Sequence, residues 1–187
     1  MNDSLRKSLG IDSDVSLFVT ATRVNASKKL EQVVDAISDL IDKGLKLKYI
    51  IIGFHNDEYG KQLKKYILDK KCIDHIEVFP FMSHNKLRQF YCAADIGIWT
   101  KAAISIQESM GTGLPILTKK RESLTHIINE NLNGWFYNDD LLSSMNDAVK
   151  SIHNKSSKLS LERRKDLAKI NKENLSYDII SKKIIEL

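Results

Sequence analysis

Short, nearly unbroken apolar runs alternate along this chain with stretches whose apolar residues recur every three or four positions. Residues 16–22 (SLFVTAT), 48–53 (KYIIIG), 76–79, 95–99, 115–118 and 134–137 are of the first kind. Short apolar runs bounded by polar or glycine residues read as strands covered on both faces. Between them, residues 28–43 set Leu30, Val33, Val34, Ile37, Leu40 and Ile41 on one stripe, an amphipathic helix that Gly44 stops. Residues 58–70 form a charged helix with Leu63, Tyr66 and Ile67 inward, and residues 84–93 a short helix with Ser83 as its cap. A further helix starts at 106–110, and residues 123–129, 141–153, 161–173 and 177–187 complete the helical set.

This alternation through Tyr137 predicts an α/β fold: a doubly wound, Rossmann-like parallel sheet flanked by helices, in a single domain with extra C-terminal helices. Such sheets bind ligands beyond the carboxyl ends of their strands. The segments that matter are therefore 23–28, 53–56, 80–83, 100–108 and 118–122.

Composition narrows the class. With 187 residues, 42% of them hydrophobic, and only 8 Gly and 2 Pro, collagen-like, mucin-like and disordered readings are excluded. The longest apolar run, residues 49–52, falls far short of the roughly 20 residues a membrane-spanning helix needs. The first ten residues carry no hydrophobic signal core. A soluble, cytosolic chain is expected. Cys72 and Cys92 sit in apolar company and read as buried thiols, and no histidine pair has metal-ligand spacing, so no metal is expected. The net charge is +5, and residues 155–187 hold nine Lys or Arg against five Asp or Glu. A solvated helix face explains that tail. No aromatic–basic platform for nucleic acid accompanies it.

After the first strand stands Thr22-Arg23-Val24-Asn25-Ala26-Ser27-Lys28. Two cations between a strand end and a helix start either are ordinary surface charges or converge on one anion, Arg as a bidentate fork and Lys as a point charge. After the fourth strand, small residues lead into a helix containing Glu108. Ser105-x-x-Glu108 matches a capping box, in which the carboxylate satisfies backbone N–H groups. The alternative is a carboxylate accepting hydrogen bonds from two vicinal ribose hydroxyls. No G-x-G-x-x-G follows a strand, no P-loop is present, and no G-x-S-x-G elbow occurs.

Three segments in order resemble the carboxyl-terminal domain of GT-B fold glycosyltransferases of the "group 1", family 4-like class. Arg23 to Ile37 is similar to that family's Arg-x-x-x-x-Lys stretch and following helix. Phe90-Tyr91-Cys92-Ala93-Ala94-Asp95-Ile96 is similar to its "y-x-x-A-D-v" passage, and Glu108-Ser109-Met110-Gly111-Thr112-Gly113-Leu114-Pro115-Ile116 to its E-A-M-A-x-G-x-P-V segment. Residues 47–53 and Asn133-Gly134-Trp135-Phe136 are weaker echoes.

The resemblance implies a role for each position. Arg23, Lys28 and the segment Ala103, Ile104, Ser105 and Ile106 would bind the diphosphate of a nucleotide-sugar donor. Glu108 would take the ribose, and Phe81 and Met82 would lie by the base. It implies metal-independent, retaining transfer to an acceptor hydroxyl with no cofactor, in bacterial polysaccharide or glycoconjugate synthesis. It also implies that residues 1–187 are the donor half, that an N-terminal acceptor domain is absent from this chain, and that this half alone is inactive. It leaves open a peripheral contact of the full enzyme with the inner face of the membrane. One departure stands out: the family's usual first glutamate, eight residues before Glu108, is Thr100 here. The catalytic residue is therefore unassigned, and a non-catalytic nucleotide or nucleotide-sugar binding module is the alternative reading.

Overall fold

The computed structural model describes residues 3–130, 132–153 and 161–175. Six strands, β1 (Ser16–Ala21), β2 (Leu47–Phe54), β3 (Ile76–Pro80), β4 (Ile96–Trp99), β5 (Ile116–Lys119) and β6 (Gly134–Tyr137), form one sheet in the order β3-β2-β1-β4-β5-β6. Every neighbouring pair is parallel. The strand order reverses between β1 and β4, so the chain is wound outward in both directions from that seam.

Strand periodicity divides the core into two layers. Phe18, Tyr49, Ile51, Ile96, Ile98 and Leu117 point to one face, and Leu17, Val19, Ile50, Ile52, Trp99 and Ile116 to the other. The first face is covered by α2 (Glu31–Asp42), α3 (Glu58–Asp69) and α7 (Leu141–His153). Val33, Val34, Ile37 and Leu40 of α2 are fully buried there. Burying each such side chain contributes about 1.5–3 kcal/mol, far more than the propensity of a helix this short. The second face is covered by α4 (His84–Ala93), α5 (Ile104–Met110) and α6 (Glu122–Thr125).

The helix expected from residue 28 is split. A 3-10 turn, Ala26–Lys28, precedes α2, because the Asn25 side chain accepts from Ser27 N–H (3.0 Å) and Lys29 turns into the left-handed region (φ 48°). Ser83 occupies the cap position of α4 but makes no side-chain capping bond; its carbonyl accepts from Leu87 instead. The helix expected at 123–129 contracts to Glu122–Thr125. Cys72 is buried as expected, whereas Cys92 is only half-buried. The helix expected at 177–187 lies outside the described residues.

Two elements fasten the second face. No apolar stripe announces α1 (Asp3–Ser8), whose Arg6 is buried. Its guanidinium donates to Ala93 O (3.1 Å), Asp95 Oδ2 (3.0 Å), Asp12 O (3.0 Å) and Val15 O (2.5 Å). From the other end of the chain, α8 (Leu161–Leu175) brings Arg164 to Ala94 O (2.8 Å) and Tyr91 O (2.9 Å). The last carbonyls of α4, unpaired by helix geometry, are thus taken by two guanidinium groups. Asp95 supplies the counter-charge and also accepts from Leu17 N–H (2.8 Å).

Candidate functional site

The seam between β1 and β4 opens at its carboxyl end into a cleft of about 520 Å³. Its walls come from three loops. Thr22, Arg23 and Lys28 follow β1; Phe81, Met82 and His84 follow β3; Ala103, Ile104, Ser105 and Glu108 follow β4. Eight of the nine residues expected from the sequence to contact a donor therefore line one cavity. The exception is Ile106, whose side chain is fully buried in the core and whose N–H is bonded to Ala103 O (3.1 Å).

Close backbone approach sets the β1 wall. Gly53 adopts φ +99°, and a Cβ there would stand 2.0 Å from Thr22 O. Only glycine lets the end of β2 press against the residue before Arg23, where Val24 N–H bonds Gly53 O (3.1 Å). Gly53 therefore shapes the loop that presents Arg23. Lys28, half-buried, ends the 3-10 turn, and its carbonyl accepts the Thr100 hydroxyl hydrogen. Burial lowers the Lys28 pKa, and the nearby charge of Lys101 lowers it further. Lys101 is thus a third cation near the site, with no motif to announce it.

The opposite wall corrects one expectation. α5 begins at Ile104, with Ala103 in the cap position and no side-chain cap. Ser105 Oγ instead donates to Ala21 O (2.5 Å) and accepts from Trp99 Nε1 (3.2 Å). The end of β1 has claimed the hydroxyl that a capping box would use. Ser105 is thus not an N-cap, and Glu108 lies beyond the first turn. Its carboxylate faces the cleft, with Oε1 3.4 Å from His84 Nδ1.

Packing behind α5 fixes this wall. Gly113 (φ +71°) would place a Cβ 1.9 Å from Arg164 O, so its bare Cα admits α8. Asn171 of α8 donates to Met110 O (2.8 Å), capping α5 from behind. On the mouth of the cleft, Phe81 and Ile104 leave 57% and 73% of their surfaces exposed. Phe81 lies beside His55, ring centroids 5.1 Å apart. Among the described residues no group of three or more His, Cys, Asp or Glu could hold a metal ion. Among them, too, no helix is long and apolar enough to cross a membrane.

Residues 1–174 match the family model of the glycosyl transferases group 1. The chain belongs to that family. It is 24% identical over 127 residues to the amylovoran biosynthesis glycosyltransferase AmsK of Erwinia amylovora, covering 63% of this chain and 31% of that one. It is 22% identical over 137 residues to the alpha-monoglucosyldiacylglycerol synthase of Streptococcus pneumoniae, covering 71% and 31%. Among solved structures, HepE of Anabaena in complex with UDP-glucose aligns with a TM-score of 0.82 at 17% identity, covering 99% of this chain and 51% of that chain. Sucrose-phosphate synthase from Thermosynechococcus elongatus aligns with a TM-score of 0.80 at 13% identity, covering 98% and 47%. These structures share the fold, as the parallel Rossmann-like sheet led one to expect. The chain spans about a third of these curated relatives and about half of these solved structures.

Proposed function

We propose that this domain binds the nucleotide-diphospho-sugar donor of a glycosyltransferase, with the diphosphate between Arg23 and Lys28 and the ribose hydroxyls on Glu108. The observation that carries the reading is the convergence of these three side chains on one cleft at the point where strand order reverses. A diphosphate leaving group gains charge as the bond to the sugar breaks. A guanidinium and an ammonium held at that place stabilise the developing charge without a metal ion. The amides of the Ala103–Ser105 segment add donors at the start of α5. Phe81 and Met82 give the base an apolar surface.

In the full enzyme this half acts with an acceptor-binding domain in metal-independent, retaining transfer to a hydroxyl, in polysaccharide or glycoconjugate synthesis. The family membership supports the transfer. The relatives named for amylovoran biosynthesis and for a glucosyldiacylglycerol support the class of product. One observation favours a narrower reading, a binding module without transfer: Thr100 stands where the family usually has its first glutamate, and its hydroxyl is committed to Lys28 O.

Isothermal titration with UDP, GDP, ADP and dTDP tests the site. Heat with at least one of them, weakening as salt is raised, is expected of a charge-dominated site. No heat with any of them overturns the donor-site reading. A product assay with the bound nucleotide's sugar conjugates, on the chain alone and with a partner acceptor domain, separates transferase from binding module.

A further inference from the structure

We infer that Thr100 is a positioning residue for the diphosphate site, its hydroxyl clasping the Lys28 carbonyl so that the Lys28 ammonium is held ready for an anion. The inference rests on the donor-site reading and adds a residue to it.

The turn that carries Lys28 has little of its own to hold it. It is three residues long, contributes no buried side chain, and is followed by a lysine in the left-handed region. Its local bonds, Lys28 N–H to Asn25 O (2.9 Å) and Lys29 N–H to Ala26 O (3.2 Å), shape the turn but do not fasten it to the sheet. Lys28 is also placed at a disadvantage, half-buried and within the field of Lys101. Left to itself, a flexible lysine would swing toward water. An anion reverses that preference, because it neutralises both cations at once.

Thr100 supplies the missing fastening. It is 6% exposed and directly follows the last residue of β4, an interior strand. Its neighbour Trp99 is pinned by Nε1 to Ala21 O (3.0 Å) at the end of β1. The hydroxyl of Thr100 therefore projects from a rigid part of the sheet, and its bond to Lys28 O joins the two loops that flank the cleft. A hydroxyl can do this because it donates. An ionised carboxylate only accepts, and would present lone pairs to a carbonyl. In this chain the residue at this position thus serves the leaving-group side of the site.

The test is a titration of the whole 187-residue chain with the nucleoside diphosphate that binds the parent most tightly. Thr100→Val keeps the branched shape and removes the donor; Thr100→Ser keeps the donor. Thr100→Val is expected to raise Kd by about three- to tenfold, the scale of one lost hydrogen bond. Thr100→Ser stays within about twofold of the parent. In a Lys28→Ala background Thr100→Val adds less than about twofold, because its effect runs through Lys28. A second readout does not need binding: with lysines ¹³C-methylated, the Lys28 signal titrates below ordinary lysine in the parent and moves upward in Thr100→Val. Thr100→Ala serves both measurements if the valine variant does not fold. Parent-like affinity in Thr100→Val, or equal weakening with and without Lys28, overturns the positioning role and leaves the donor site standing. A parent that binds no nucleoside diphosphate overturns the donor site and the clasp together.

Discussion

His84 Nδ1 stands 3.4 Å from Glu108 Oε1 across the mouth of the cleft, joining the start of α4 to α5. With no capping box at α5, the carboxylate is left to solvent, to His84 and to whatever enters the cleft. Glu108→Gln is accordingly expected to leave the melting temperature almost unchanged. It should weaken binding of the nucleoside diphosphate that the parent takes by about tenfold or more, typical of losing a hydrogen bond to a charged acceptor. The 2′-deoxy nucleotide binds the parent more weakly, and the penalty shrinks in the variant, as a double-mutant cycle reports. Equal affinity of the parent for ribose and deoxyribose forms removes Glu108 from the ribose.

Arg23→Ala and Lys28→Ala each lose about 1.5–3 kcal/mol of nucleotide binding, the range for charge-assisted hydrogen bonds. Arg23 is exposed and Lys28 half-buried, so urea midpoints should scarcely move. Calorimetry and denaturation on the same preparations decide the matter. An Arg23 variant that binds like the parent would take Arg23 out of the site.

The lowered pKa of Lys28 has opposite consequences for folding and for binding. Because burial and Lys101 depress it below 10.5, the unfolded chain holds this proton more tightly than the folded one. Stability from this group therefore rises with pH, from the lowered folded pKa up to 10.5. Anion affinity falls over the same window, as the ammonium is lost. Lys101→Ala raises the Lys28 pKa, so the loss of anion affinity moves to higher pH while the gain in stability toward 10.5 becomes smaller. Denaturation and nucleoside diphosphate titration at several alkaline pH values, on parent and variant, should diverge in this sense.

Asp95→Asn tests the fastening of α4. It leaves the buried Arg6 guanidinium without its counter-charge and weakens the acceptor for Leu17 N–H. A loss of about 3–5 kcal/mol in unfolding free energy is expected from breaking a buried pair on one side. Nucleotide affinity of the folded fraction should be close to the parent's, since Asp95 does not line the cleft. A shift under about 1 kcal/mol would mean that the carbonyls alone hold Arg6.

The sheet was legible because a strand buried on both faces must be apolar almost throughout, as in Tyr49–Ile52, and all six strands lie where those runs occur. The segments that line the cleft were legible because they follow the strands, and the family resemblance picked out the residues within them. What could not be read depends on partners far away in sequence. Helix α1 is too short to show a stripe, and two of the four acceptors that hold its Arg6, Ala93 O and Asp95 Oδ2, lie 87 and 89 residues away. Ser105-x-x-Glu108 satisfied a local pattern, yet a carbonyl 84 positions away took the serine. Lys101 and the Thr100 clasp likewise exist only once β1 and β4 are side by side. Nothing local marks Gly53 or Gly113 as obligatory, and only the packing of Thr22 and α8 against them shows why no side chain fits.

The guanidinium groups of Arg6 and Arg164 converge on the stretch from Tyr91 to Asp95. This bears on how the domain can be cut. A fragment trimmed past Arg6 and one trimmed past Arg164 fail for the same reason, each uncovering carbonyls at the end of α4. Boundaries drawn at β1 and at β6 would enclose the whole sheet and the whole cleft, and would still discard both clamps. Fragment expression and limited proteolysis should therefore find the shortest stable unit well outside the strands, with α1 and α8 both retained. A nick that releases α1 uncovers the end of α4, and one that releases α8 uncovers both that end and the Met110 carbonyl of α5.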